Sequence, residues 1–232
     1  MVKTMSLEGI KKNKIKNLTT LAYETIKNSI MNNEIKPGDY LSENLLAQTL
    51  GMSRTPIREA IKVLASEGLV EIHNGVGVFV KHVTTKEIHE LFEVRAALEC
   101  TALHSSLKYI TDDEISDIEE GWLELKRKID QGEKIDIDII SDYDSRLHSL
   151  IVNKCDNAYL KEIMSSIKLK IKRFQRMSAR ALGNEKETLN QHLEIINYMK
   201  EKDVDKLSKL LRIHIEKAAE NITRNPSENW KY

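Results

Sequence analysis

Cysteine is scarce in this chain. Its 232 residues include two cysteines, Cys100 and Cys155, which lie far apart and form no C-x-x-C pair. Disulfide frameworks and thiolate zinc sites need paired or clustered cysteines, so the sequence argues against both. We expect each cysteine to act as a small buried hydrophobic side chain, and nothing here requires an oxidising compartment.

Long apolar runs are absent as well. No stretch approaches the roughly 20 apolar residues that a membrane-spanning helix needs. Residues 1–17 carry several lysines and no apolar run, so they do not have the pattern of a signal peptide. We therefore expect a cytoplasmic protein without membrane contact, in which residues 1–17 form a flexible basic arm that either touches phosphates or is simply solvated.

Helix-breaking residues are rare beyond Thr84. Proline is absent until Pro226, and the only glycines are Gly121, Gly132 and Gly183. Because proline and glycine punctuate helices, residues 83–224 are predicted to form an all-α antiparallel bundle of about six helices, followed by a tail at 225–232. The predicted helices lie near Thr85–Ile110, Thr111–Gln131, Asp136–Asn153, Asn157–Leu182, Glu185–Lys202 and Val204–Arg224.

The run from Ser53 to Val70 is the most informative segment that is present. Ser53 is suited to cap a helix, and the helix would place Arg54 and Arg58 on one face of its first turns, opposite an apolar stripe. Cations at a helix N-terminus oppose the macrodipole, so they suit a helix whose tip meets phosphates or guanine edges. An ordinary amphipathic helix with solvated arginines is the alternative.

The neighbouring segments decide between these two interpretations. Residues 41–51 predict a short helix with Leu45, Leu46 and Leu50 facing inward, and Gly51 supplies a tight turn before the next helix, as in a helix-turn-helix. Asn74-Gly75 between two alternating runs predicts a β-hairpin. Together with a helix at 18–33, residues 18–82 are predicted to form a winged helix-turn-helix with a small β-hairpin wing, and the whole chain to be mainly α.

This order of motifs closely resembles the DNA-binding domain of the GntR family of bacterial transcription regulators. The resemblance implies that the tip of the recognition helix and the tip of the wing contact operator DNA. Asn44 stands where many members have arginine, so the operator sequence of relatives does not transfer. The resemblance rests on Pro37-Gly38, Leu41-Ser42-Glu43, Ser53 to Ala60 and Glu67 to Val70, and the implied DNA contacts are Arg54, Thr55, Arg58, Asn74 and Gly75.

Net charge adds little to this assignment. The chain carries 36 basic and 36 acidic residues, and residues 1–82 hold eleven Lys and Arg against eight Asp and Glu. So small an excess does not create a strong general basic field. The placement of individual cations must matter more for DNA binding than their total.

In the predicted bundle, Asp144 and His148 are four residues apart on one helix and therefore point the same way. His192 and His214 lie on the two final helices, so the four side chains can converge inside the bundle. Imidazole and carboxylate ligands suit Zn, Ni, Mn or Fe and leave a coordination position open. Such spacing also arises by chance, and helical histidines are often exposed or hydrogen-bonded in a core.

The same residues resemble the FCD domain, the ligand-binding bundle of the FadR subfamily. The resemblance runs through residues 144–148 and 157–160 and continues to His192 and His214. It implies that Asp144, His148, His192 and His214 hold a divalent metal and that an organic acid effector completes its coordination. Leu147 stands where many relatives have phenylalanine, which is a change in packing.

Arg95 is the candidate partner of the effector's carboxylate. Residues 93–99 resemble the start of the first helix of the FCD domain, and a guanidinium matches a carboxylate with two hydrogen bonds. The alternative is an intrahelical pair with Glu99, four residues further on. Arg146, Arg173 and Arg176 are further candidates to line a pocket.

The combined expectation is a transcription regulator, more a repressor than an activator, that binds a palindromic double-stranded operator as a homodimer. A small carboxylate effector would control its DNA affinity through the metal. Two alternatives remain: a DNA-binding dimer with a purely structural metal and no effector, and a metalloenzyme in which the metal activates water. No pairing for a general base is visible, so we expect no enzyme.

Overall fold

A computed structural model describes residues 7–181 and 185–224. The chain divides into two compact units, Met1–Val83 and Thr84–Tyr232. None of the described helices is long and apolar enough to cross a membrane. The tail expected at 225–232 lies outside the described residues.

The first unit has the predicted winged helix-turn-helix order. The hairpin is antiparallel and pairs Val70 with Val80 and His73 with Gly77. Residues 7–17 belong to the first helix, residues 1–6 lie outside the described part, and the predicted flexible basic arm at 1–17 stays a prediction. The elements are α1 (Leu7–Met31), α2 (Glu43–Thr49), α3 (Arg54–Ser66), β1 (Val70–His73) and β2 (Gly77–Val80).

Local capping fixes where the short helices begin. The side chain of Ser42 accepts a hydrogen bond from the backbone N–H of Leu45 and caps α2. Ser53 occupies the N-cap position of α3, but its side chain makes no capping hydrogen bond. The turn at the tip of the wing contains Gly75, whose φ of 76° lies in the left-handed region that glycine tolerates.

The core of the first unit lies between α1 and α3. Ile57, Ile61 and Leu64 of α3 are buried, as are Ile26 and Ile30 of α1. Leu45, which the sequence predicts to face inward, is 62% exposed. Its short helix α2 contacts the core through Ala47 instead.

The second unit contains six helices in the described part of the chain, as predicted. Thr84 caps the first of them by accepting from the N–H of Glu87, and the Thr111/Glu114 capping box starts the second. Both cysteines are free and buried. The helices are α4 (Thr85–Ser106), α5 (Asp112–Asp130), α6 (Ile137–Lys154), α7 (Ala158–Ala181), α8 (Glu185–Glu201) and α9 (Val204–Arg224).

Helices α5 and α6 approach each other closely, and this approach helps to assemble the candidate metal site. Gly121 lies in the middle of α5, and a Cβ added there would come within 1.9 Å of Cε1 of Tyr143 on α6. The next residue, Trp122, is buried and packs on Tyr143 with ring centroids 6.2 Å apart. Glycine at 121 therefore lets α6 lie close enough for its inner face to meet α8.

Candidate metal centre and nucleic-acid interface

Asp144 and His148 on α6, His192 on α8 and His214 on α9 meet inside the second unit. One ligand atom from each lies within 4.8 Å of every other. The three histidines are 4%, 0% and 6% exposed, so the imidazole rings are buried in the bundle. The structure therefore brings together all four residues that the sequence proposed as metal ligands.

In each of the three histidines, Nδ1 forms a hydrogen bond with an acceptor outside the cluster. Carboxylate and carbonyl oxygens only accept hydrogen bonds, so each Nδ1 carries the proton and donates it. Each Nε2 then faces the centre of the cluster, the usual arrangement of a metal-binding histidine. The contacts are His148 to Glu99 Oε2 at 2.5 Å, His192 to the Thr188 carbonyl at 2.7 Å and His214 to Gln191 Oε1 at 3.0 Å.

The Nε2 atoms converge on one oxygen, Oδ1 of Asp144. They lie 2.8 Å from it for His192, 3.5 Å for His148 and 3.7 Å for His214. A buried carboxylate among three imidazole nitrogens needs positive charge beside it, which protons on the imidazoles or a bound metal cation can supply. Nε2 of His148 is in addition buried without a hydrogen-bond partner. The donor set of three imidazoles and one carboxylate therefore fits a divalent transition metal.

Gln175 of α7 orients the carboxylate of Asp144. Its Nε2 donates to Oδ2 of Asp144, and its Oε1 accepts from the hydroxyl of Ser145 at 3.1 Å. This leaves the other oxygen of Asp144 facing the histidines. Amide support of a ligating carboxylate is a common outer-shell arrangement in metal sites.

The surroundings set the protonation of the cluster. Burial by itself raises the pKa of Asp144, but the neighbouring histidines outweigh it and hold this pKa well below its usual value. Burial, assisted by His192, lowers the pKa of His214 to about 3. Burial also raises the pKa of Glu99, and Arg95 and His148 together outweigh it and lower this pKa. Asp144 and Glu99 are thus anions and His214 is a neutral imidazole, whereas Glu99 outweighs the effect of burial at His148 and raises its pKa.

Arg95 forms the intrahelical ion pair with Glu99 that the sequence offered as the alternative to an effector contact. Its Nε donates to Oε1 of Glu99 at 2.7 Å, and the two side chains are 2% and 1% exposed. Nη2 of the same guanidinium is buried without a hydrogen-bond partner. A buried donor of this kind is costly to leave unpaired, so Arg95 still has a hydrogen bond to offer.

Within the described residues, two cavities open to solvent reach the cluster from different sides. The smaller has a volume of about 40 Å³ and is lined by Asp144 and His214. The larger, of about 500 Å³, is lined by Glu99 and His148. Arg95 lines both cavities, and the larger one has room for a small molecule beside His148 and the guanidinium.

Sequence reasoning missed several residues around the cluster. The ring of Trp122 stacks on His192 with centroids 3.9 Å apart and planes at 13°. Thr188 lies one helical turn before His192, and that spacing was a usable signal. Gln175 and Gln191 gave no such signal, because which amide reaches the centre depends on how the helices pack.

The first unit presents the residues proposed to read DNA. Arg54, Thr55 and Arg58 are exposed at the start of α3, and Asn74 and Gly75 are exposed at the tip of the wing. The exposed stretch at the start of α3 has the form of a recognition helix tip.

Arg58 is held by a residue that the sequence did not single out for this role. Its Nη2 lies 2.9 Å from Oε2 of Glu43 on α2, and its Nε lies 3.3 Å from both oxygens of that carboxylate. This hydrogen bond raises the pKa of Arg58. The carboxylate of Glu43 therefore orients the exposed guanidinium of Arg58.

Comparisons with known proteins match both units. Residues 18–80 match the domain described as bacterial regulatory proteins, gntR family, and residues 90–217 match the FCD domain. The gluconate operon transcriptional repressor of Bacillus licheniformis is 32% identical over 78% of this chain and 75% of its own. The Nta operon transcriptional regulator of Aminobacter aminovorans is 30% identical, over 81% and 86%.

More distant relatives cover nearly the whole chain. The HTH-type transcriptional repressor RspR of Escherichia coli (strain K12) is 24% identical over 89% of this chain and 90% of its own. The solved structure of E. coli McbR/YncC superposes with a TM-score of 0.72 at 20% identity, covering 90% of this chain and 99% of that one. At this identity the likeness establishes the shared fold.

Proposed function

The chain belongs to the GntR family of bacterial transcription regulators, with an FCD domain after its winged helix-turn-helix, and we propose that it is a repressor released from its operator by a small organic or sugar acid bound at a metal centre. It is a DNA-binding regulator and not an enzyme. The metal, the effector and the direction of control are the proposed parts.

The observation that carries the proposal is the common orientation of the three histidines. Each Nδ1 is engaged outward and each Nε2 points at Oδ1 of Asp144. We propose that these three nitrogens and Asp144 hold a divalent Zn, Ni, Mn or Fe ion. The ion would supply a Lewis-acidic position where a carboxylate of the effector binds. The larger cavity, which is lined by the proposed ligand His148, favours this role over a purely structural metal.

Arg95 is the proposed second contact for the effector. Its unpaired Nη2 is available to an incoming carboxylate, while its Nε stays on Glu99. Glu99 in turn holds His148. An acid that binds Arg95 would therefore act on the same hydrogen-bonded chain that orients a metal ligand.

In the first unit, the proposed DNA contacts are Arg54, Thr55 and Arg58 from α3 and Asn74 and Gly75 from the wing. A bidentate arginine–guanine contact is worth about 1 to 3 kcal/mol of discrimination. Two such units in a homodimer would read the half-sites of a palindromic operator. We propose that the effector lowers operator affinity through the segment that joins the units, near residues 82–84, by binding one state of the dimer better than the other.

Sugar acids are the first effectors to test, because one relative is named for the gluconate operon. The test uses an operator fragment selected from random DNA with the metal-loaded protein, followed by titration of gluconate and related acids. Loss of operator affinity that needs both acid and metal would support the proposal. Affinity that no acid changes would argue against it.

A further inference from the structure

The larger cavity changes in polarity from its floor to its rim. The floor is formed by the buried side chains of Arg95, Glu99, His148 and Gln175. The outer part is lined by four cations that lie on α6 and α7: Arg146, Lys161, Lys168 and Lys172.

These cations are weakly compensated. Five cationic side chains and two carboxylates line the cavity. Lys172 pairs with Asp142 at 3.2 Å, but that carboxylate is 66% exposed, so solvent screens the pair. Within residues 7–181 and 185–224, Lys168 has neither an ion pair nor a hydrogen bond. The outer part of this cavity is therefore suited to an anion.

The smaller cavity has no excess of cationic side chains over carboxylates. Its cations, Arg95 and Lys217, are matched by the carboxylates of Asp144 and Glu187. Both cavities reach the metal centre, so the difference in charge selects the larger one as the route for a strongly anionic molecule.

Apolar side chains line the larger cavity as well, and Ile171 of α7 lies between Gln175 at the floor and Lys168. Val152 of α6 and Met164 and Ile171 of α7 line it and are buried. On α7, Gln175 marks the floor and Lys168 lies seven positions before it. At a rise of 1.5 Å per residue this is about 10 Å along the helix axis, which a short carbon chain can span once the reach of the lysine is included.

From this order of groups, we infer that the effector is an anion with an acidic group at each end. One acid binds at the floor, beside the metal and Arg95, and the carbon skeleton lies along the apolar side chains. The second acid, a carboxylate or a phosphate, binds Lys168, with Lys172 and Arg146 beside it. The ligand class is thus a dicarboxylate or a phosphorylated sugar acid rather than a simple monoacid. This inference rests on the proposed function.

Matched pairs of acids test it directly. Pentanoate and glutarate share a carbon skeleton, as do gluconate and 6-phosphogluconate, and the second member of each pair carries the additional terminal acid. Calorimetric titration of the metal-loaded full-length protein should give a dissociation constant that is lower on the order of tenfold for the second member of at least one pair, as one added charge-assisted contact allows. Equal affinities in both pairs, or no binding of either two-ended acid, would overturn the inference.

Substitutions of the lysines test where the second acidic group of the effector binds. Lys168→Gln and Lys172→Gln, singly and together, should reduce the affinity ratio toward one while leaving metal content and the affinity of the one-ended acids unchanged. Lys209→Gln is the matched control, because Lys209 is exposed on α9 and does not line this cavity. A ratio that persists in the double variant would overturn the inference. The proposed function fails separately, if the acids bind but leave operator affinity unchanged.

Discussion

Nδ1 of His148 lies 2.5 Å from Oε2 of Glu99, across two helices and 49 positions of sequence. The second oxygen of Glu99 accepts from Arg95 at 2.7 Å. One buried carboxylate thus connects a proposed metal ligand with the proposed effector contact. Burial of such a group is tolerated because both of its oxygens are engaged by donors.

Glu99→Gln should weaken metal binding. The amide keeps the size of the side chain but removes the charge that orients His148, and loss of an outer-shell partner costs about 10- to 100-fold in metal affinity. Competition with a chromophoric chelator measures the effect. Glu93→Gln on the same helix is the control, since Glu93 is exposed. Equal metal affinity in both variants would remove Glu99 from the site.

The purified protein should contain close to one transition metal per chain by elemental analysis. His192→Ala should lose most of it, because His192 brings an Nε2 atom 2.8 Å from Asp144 and its ring is fully buried. His89→Ala, a change at an exposed histidine of α4, should retain the metal. A metal-free wild-type protein that takes up none of Zn, Ni, Mn or Fe would contradict the assignment.

Arg58→Ala should weaken specific operator binding by about 1 to 3 kcal/mol. The side chain is exposed and its ion pair with Glu43 lies at the surface, so the fold of the first unit should survive. Fluorescence anisotropy with a labelled operator measures the change, and Arg212→Ala in the second unit is the control for loss of a positive charge. Unchanged affinity in Arg58→Ala would remove this residue from the reading surface.

Gly121→Ala should destabilise the second unit. A Cβ at this position would lie 1.9 Å from Cε1 of Tyr143 unless the ring or the helix shifted, and overpacking of a core costs about 1 to 3 kcal/mol. Urea unfolding measures the loss. Because the clash needs the ring, the cost of Gly121→Ala should be smaller when it is introduced into Tyr143→Leu than into the wild type. An equal cost in both backgrounds would place the strain elsewhere.

The helices of the second unit were predictable because their signals are local. Apolar periodicity, the lack of proline and the capping box at Thr111 placed α5 close to its observed bounds, Asp112–Asp130. The sharp hairpin was equally local, since Asn74-Gly75 favours a tight turn. For residues 7–17, many lysines and no apolar run suggested an arm, and the structure places them in α1.

Side-chain orientation was harder to predict where a helix is short. Leu45 lies on a helix of seven residues, which is too short for periodicity to decide which face is buried. The sequence did not decide whether Arg95 lines a pocket or pairs with Glu99. In the structure, its Nε pairs with Glu99 and its Nη2 has no hydrogen-bond partner. Partners such as Gln175 come from a different helix, so no local spacing could identify them.

We propose above all that an acid bound at the metal centre controls DNA binding. The most direct test is anisotropy of a labelled operator with metal-loaded protein, while gluconate, 6-phosphogluconate, glutarate or malate is titrated. At least one acid should weaken operator affinity about 5- to 150-fold, the usual range of allosteric coupling, and the effect should vanish in His192→Ala. Operator affinity that none of these acids changes, or a change that persists without metal, would contradict the account.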